Sequence, residues 1–550
     1  MSLPDHALRR FLDRATAVVV DSHANARSLL ITELKQLGVA NVISCRGIAD
    51  ARARLAANRV DIVLCEYHFD GTAQTGQDLL DEIREQRLLP LASIFFMVTG
   101  EAKYEKVVEV VETAPDDYLL KPFTVESLGN RLEQAMARKL ALAPIYQAID
   151  AGEDEKALAA AETAFRIASP YQLTAAKLAG ELCIKLGRMD EARAYYDAVL
   201  KSASIPWARL GIARIAYAGD DSKEARHTLE TLVSAYPTYV DAYDLLGRMM
   251  IEGGELDAAL RVFQQALAIT PASVTRLQRA GSLAFMLGRN ADAEAALGRA
   301  VRLGTNSRAL DFQTVLHLAI VRLDADRPRD IAPLEKSLAA AREGAPDSYR
   351  LRRLHDLVRC VSQLAHRKVA AAIATLEDVA ADVLAEEFDL ELACDFLAVL
   401  RRLRDRDCQL ADEEDWVERV GSRFCTSKAA TSFLASSAGP ELAPALEEAS
   451  ALVSRQCNDS LLEVLQDRPL EGVRSLLEQA SRSRNARQLA LVESIGQKRR
   501  SSSPEMAELV EQARALRERF CTRGTHAALA LDGGLRQEAD APATGVPVAE

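Results

Sequence analysis

Four apolar runs in the first part of the chain each end on a side chain that could do chemistry. Asp21 and Ser22 follow the first. Glu66 ends the run Val60 to Glu66, Thr99 ends the run Ser93 to Thr99, and Lys121-Pro122 follow the run Asp117 to Leu120. Val60 to Glu66 is rich in β-branched residues and reads as a strand buried on both faces. In an open α/β sheet, ligands bind just beyond the carboxyl ends of the strands. Glu66 therefore stands where a reaction would take place, and whether its carboxylate is reactive decides what the protein is.

The elements that must position these residues alternate strictly. The strands are Ala15 to Asp21, Val42 to Arg46, Val60 to Glu66, Ser93 to Thr99 and Asp117 to Leu120. The helices are Ala24 to Leu37, Ile48 to Asn58, Gln77 to Arg87, Lys103 to Thr113 and Thr124 to Leu142. Alternation of this kind implies a parallel sheet covered by helices on both faces.

With those positions in view, about residues 14–140 resemble the receiver domain of bacterial response regulators, a flavodoxin-like fold with a five-stranded parallel sheet. The resemblance implies roles for each strand end. In the family, an aspartate after strand three accepts a phosphoryl group and an acidic pair after strand one binds magnesium. A Thr or Ser after strand four and a Lys before a cis-proline contact the phosphoryl oxygens. An aromatic residue on strand five changes rotamer on activation. Thr99, Lys121, Pro122 and Tyr118 match, and Asp21 matches the first acid of the pair.

Two positions depart from the pattern. Ser22 replaces the second acid, and Glu66 stands at the acceptor position. Magnesium wants several hard oxygen ligands in near-octahedral geometry, and a hydroxyl is a poor substitute for a carboxylate. The extra methylene of glutamate moves its oxygens by about 1.5 Å, and about 1 Å of misplacement can cost an in-line transfer about a hundredfold. The expectation is a pseudo-receiver that is not phosphorylated, with no catalytic residues, no metal and no cofactor. The alternative is a phosphorylation-dependent regulator that uses Mg2+. Within the first expectation, Glu66 is either a remnant paired with Lys121 or a partial mimic of the phosphorylated state that reaches Thr99; the remnant is preferred. Asp70 lacks the strand-end geometry of an acceptor.

After Leu142 the strands stop and a repeat of about 34 residues begins, the tetratricopeptide period. The clearest copies are Val240 to Ser273 and Val274 to Ser307, with an earlier one from Leu173 and another from Trp207. Small residues such as Gly247, Ala259 and Ala266 let paired helices approach, while Tyr243, Leu246 and Phe263 fill the gaps. No such hairpin buries its apolar face alone, so stacked neighbours supply the core. The resemblance implies a concave groove for a protein partner, lined by the first helix of each repeat. That assigns Lys177, Glu181, Asp241, Asp244, Arg248, Gln278 and Ser282 to the groove, though any one of them could be an ordinary solvated position.

The expected organisation is an N-terminal segment over 1–13, a receiver-like domain over 14–142 and repeats over 143–310. A helical extension of degenerate repeats over 311–500, a terminal helix over 501–521 and a disordered tail over 522–550 follow. Tyr349 to Leu384 reads as one long helix, and the Ser/Gly/Pro-rich stretch Ser432 to Pro440 as a separator. Lys498 to Pro504 reads as a solvated linker. The formal net charge of −12 argues against nucleic acid as a partner. Nine scattered cysteines suggest a reducing compartment, and no apolar run approaches the roughly 20 residues of a membrane span. The expected protein is a cytoplasmic signalling adaptor that binds other proteins, a histidine kinase among the candidates.

Overall fold

A computed structural model describes residues 5–69, 75–85, 88–100, 115–167, 169–202, 204–219, 221–271, 273–304, 310–406, 410–498 and 504–521. The helix expected over Lys103 to Thr113, Asp70, the linker residues 499–503 and the tail 522–550 lie outside them.

The first described element is the helix α1 (Asp5–Leu12), within the segment expected ahead of the domain; Leu12 is buried with the sheet residues. Then come β1 (Thr16–Val20), α2 (Ala24–Gln36), β2 (Asn41–Cys45), α3 (Ile48–Ala57), β3 (Ile62–Glu66), α4 (Gly76–Glu85), β4 (Ile94–Thr99), β5 (Asp117–Leu120) and α5 (Val125–Ala141). All strand pairs are parallel, in the order β2-β1-β3-β4-β5. Side chains of a strand alternate between faces, which accounts for two separate cores. Val19, Leu64, Phe96 and Leu119 pack against Leu30 and Leu34 of α2 and Leu128 and Leu132 of α5. Val18, Val63, Phe95 and Tyr118 pack against Ile48 and Leu55 of α3 and Leu79 and Ile83 of α4.

From Ala143 onward the described chain is helical. Helices pair as antiparallel hairpins, and the small residues act as expected. A Cβ on Gly247 would lie 2.6 Å from the Phe263 ring, and one on Gly180 or Gly211 would strike opposite neighbours' shared filler, Tyr196, at 2.6 Å and 2.4 Å. The hairpins continue past residue 310, ending with Pro504–Cys521.

Two expected boundaries are corrected. Tyr349 to Leu384 is two helices, Tyr349–Ala365 and Val369–Ala381, joined at Arg367, whose φ is +57°. Residues 432–438 belong to the helix Lys428–Ala438, and the break falls at Gly439.

The first correction has a general cause. In the clear repeats a glycine turns the chain between paired helices: Gly187, Gly254 and Gly288 have φ of +73°, +78° and +69°. At Gly254 its N–H donates to the Ile251 carbonyl, and the Glu255 N–H to the Met250 carbonyl. Arg367 and Lys368 make the same two bonds, to Leu364 and Gln363, as do Asp326 and Arg327, to Leu323 and Arg322. Asp467, with φ of +63°, repeats the pattern. The turn is retained while the residue that favours it is lost. Left-handed backbone disfavours a Cβ, and these three side chains are exposed. Asp326→Gly, Arg367→Gly and Asp467→Gly should therefore each raise unfolding free energy by about 0.5–1 kcal/mol, and Gly254→Ala should lower it by about 1 kcal/mol. Denaturant titration of each variant checks this.

Candidate functional site

The strand ends meet as the parallel register requires. Glu66 pairs with Val98 of β4, the Tyr67 N–H donates to the Val98 carbonyl, and the Lys121 N–H donates to the Thr99 carbonyl at 2.8 Å. Gly76 opens α4 directly over this edge: a Cβ there would lie 2.4 Å from the Glu66 carbonyl oxygen. The Lys121-Pro122 peptide is cis, and the side chain of Lys121 runs back across the carboxyl edge.

The Lys121 ammonium sits between two carboxylates. Nζ donates to Asp21 Oδ2 at 2.9 Å and to Glu66 Oε2 at 2.5 Å. Asp21 is fully buried and Glu66 is 8% exposed. The remaining oxygens are held by backbone. Asp21 Oδ1 accepts from the His23 N–H at 2.8 Å. Glu66 Oε1 accepts from the N–H groups of Tyr67 at 2.8 Å and His68 at 3.3 Å. The longer side chain of glutamate is thus folded over the start of its own loop. Burial pulls the Lys121 pKa down, but its hydrogen bonds to Glu66 and Asp21 outweigh that, and the ammonium is held above the ordinary lysine value.

Thr99 is buried beside this group. Ser22 is half-buried, with Oγ 3.4 Å from His23 Nδ1. Arg27 donates to the carbonyls of Asp21 and Ser22, fixing the turn after β1. The Tyr118 ring is buried in the core under α3 and α4.

The receiver fold is tied to the first repeat by polar contacts that the sequence did not signal. Lys139 of α5 is buried, pairs with Asp116 at 3.0 Å and donates to the Leu91 carbonyl at 2.7 Å. Asp150, from the first repeat helix, accepts the Leu91 N–H at 3.0 Å. Asp116 also accepts the Phe95 N–H at the start of β4.

The residues assigned to a groove fare differently. Lys177 and Glu181 are neighbours on one helix, 3.7 Å apart, and Arg248 is half-buried. Asp244 is occupied by Arg276 and Arg279 of the next repeat, at 2.6 Å and 3.2 Å, and Asp241 lies 3.7 Å from Arg276. Gln278 and Ser282 are not groove residues, being each 2% exposed. Gln278 Oε1 accepts from the Asp311 N–H and the Thr314 hydroxyl. Ser282 Oγ is 3.0 Å from His317 Nδ1, and His317 Nε2 is 2.8 Å from Asp395 Oδ1. The helices Gln313–Asp324 and Leu390–Arg404 bury this surface. Nothing local in the sequence links His317 to a residue 78 positions away.

Comparison with known proteins agrees with the geometry. Residues 17–133 match the family described as response regulator receiver domain. Residues 178–205 and 207–239 match tetratricopeptide repeat families. The chain carries a receiver domain followed by tetratricopeptide repeats. Its receiver is 29% identical over 122 residues to the chemotaxis protein CheY of Pseudomonas aeruginosa, covering 22% of this chain and 95% of that one. It is 28% identical over 121 residues to CheY-3 of Vibrio cholerae, covering 22% and 91%. Among solved structures, a receiver domain protein from Clostridium thermocellum covers 23% of this chain and 98% of that one, with 20% identity and a TM-score of 0.21. A tetratricopeptide repeat protein from Parabacteroides merdae covers 44% and 91%, with 15% identity and a TM-score of 0.30.

Removing the bridging cation tests the pocket's electrostatics. Lys121→Met leaves two desolvated carboxylates facing each other and should cost about 1–3 kcal/mol, the cost of breaking a buried pair discounted for the partly exposed lysine. The same substitution in a Glu66→Gln background should cost clearly less. A raised lysine pKa adds stability that is complete below the unfolded value of about 10.4 and is lost as pH rises through the folded value. The gap between wild type and Lys121→Met should accordingly stay constant from about pH 6 to about pH 9 and narrow only above about pH 10.4. Urea titrations across that range measure it.

Proposed function

We propose that this protein is a signalling adaptor whose receiver is read by partners for its shape and does not run a phosphoryl cycle. The observation that carries this reading is the engaged state of Glu66. Both of its oxygens are spoken for, one by Lys121 and the other by the amides of Tyr67 and His68, and neither is presented to an incoming phosphoryl group.

The residues at the edge do not fit a magnesium ion. Ser22 supplies a hydroxyl where the family supplies an acid, and both oxygens of Asp21 are already used, by Lys121 and by the His23 amide. Magnesium keeps near-octahedral oxygen ligation and several waters, whereas here an ammonium neutralises the two carboxylates. The lysine does the electrostatic work of the metal without its chemistry. The same geometry supports the remnant reading of Glu66 over mimicry of the phosphorylated state.

Signalling output then falls to interaction. Tetratricopeptide repeats and receiver domains both mediate protein–protein contacts, and the Leu91 N–H, held near Lys139, joins the receiver to Asp150 of the first repeat. The half-buried pair Lys177 and Glu181 lies on the next repeat helix, Gln172–Lys185, and is a reasonable part of a partner site. No helix among the described residues is long and apolar enough to cross a membrane, and the cysteines among them are free thiols. Both support a role among soluble partners in a bacterial cytoplasm.

Incubation of the full chain with acetyl phosphate and Mg2+, read by intact mass, tests the proposal. The expected outcome is no mass gain, and no gain in Glu66→Gln. A phosphoryl adduct on the wild-type chain that disappears in Glu66→Gln would overturn it.

A further inference from the structure

A cavity of about 580 Å3 opens where the repeats meet the C-terminal helices. That size suits a small molecule. Its apolar lining includes Leu246 and Met250 from a repeat helix, Phe388 from the turn before Leu390–Arg404, and Phe520 from the last described helix.

Two arginines line the same cavity without a carboxylate partner among the described residues. Arg423 is 2% exposed. Its Nη1 donates to the carbonyls of Val383 and Ala385, and its Nη2 is buried with no hydrogen-bond partner among the described residues. Arg484 donates to the Leu384 carbonyl and stacks on Phe520, 3.8 Å from the ring centroid. Burial pushes the Arg423 pKa down to about 10, and burial with the nearby Arg519 lowers that of Arg484. The cavity's carboxylates are mostly committed elsewhere: Glu255 to Arg226, Glu386 to Arg519 and Asp389 to Arg350, with Glu387 engaged as well. Glu252 Oε1 is buried with no hydrogen-bond partner among the described residues.

A desolvated guanidinium with an unused N–H is costly unless an acceptor meets it, and guanidinium groups match carboxylate and phosphate oxygens in geometry as well as charge. We propose that this cavity binds a small molecule carrying an oxyanion, a carboxylate or a phosphate, on an apolar body, with the oxyanion held by Arg423 and Arg484. The apolar body lies along Leu246, Met250 and Phe388, and a hydroxyl or amine on the ligand meets Glu252. The site is independent of the receiver pocket, so its fate does not depend on whether Glu66 is phosphorylated.

Calorimetric titration of the full chain with 3-phenylpropionate, phenyl phosphate and neutral 3-phenyl-1-propanol tests it. At least one anion should bind about tenfold or more tightly than the alcohol, and the tighter of the two anions identifies the oxyanion. Arg484→Met should weaken that anion by about tenfold while leaving the alcohol unchanged. Arg423→Met should do the same where circular dichroism shows that it folds; if it does not fold, Arg484→Met decides. No heat with either anion at millimolar concentration, equal affinity for the alcohol, or wild-type affinity in Arg484→Met would each overturn the assignment.

Discussion

A single ammonium group holds together the part of this molecule that looks reactive. The carboxyl edge of a parallel sheet brings the buried carboxylates of Asp21 and Glu66 to within reach of one partly exposed lysine. Two desolvated carboxylates there would repel each other. Lys121 resolves the conflict and, in doing so, links the turn after β1, the end of β3 and the loop after β5. The backbone amides that cap the outer oxygens complete the arrangement. Side chains and amides from three separate strand ends thus meet around one cation.

That arrangement was largely legible from residue types. Polar residues at the ends of apolar runs, in strict alternation with amphipathic stretches, can belong only to a few topologies, and the parallel register then forces Asp21, Glu66, Thr99 and Lys121 together. The close-packed glycines of the repeats were legible for the same reason, because a missing side chain opposite a large one is a local pattern. Glu66 folding over its own loop amides was not, since it depends on the path of the backbone after the strand.

The misreadings have physical causes as well. Glycine marks the turn inside each clear repeat; where Asp326, Arg367 and Asp467 take the left-handed conformation instead, the punctuation vanishes from the sequence while the hairpin persists. Gln278 and Ser282 were expected in a groove because they lie on the first helix of their repeat, the helix that lines the groove in the resembled family. Their burial comes from the next hairpin's helix, Gln313–Asp324, and from the more distant Leu390–Arg404, and polar groups there are satisfied by partners that no local signal could nominate. The tie between Lys139, Leu91 and Asp150 was missed for the same reason.

The helix Leu390–Arg404 is buried along nearly its whole length and bonds through Asp395 to both Gln313 and His317. An ordinary stack of helical hairpins is quasi-one-dimensional: each unit feels only its neighbours, and the array can fray from an end. A central strut of this kind breaks that rule. The hairpins on either side of it are bound to gain or lose order in concert, so this region behaves as a globular cooperative block rather than a spring, and its folding must wait for contacts between distant parts of the chain.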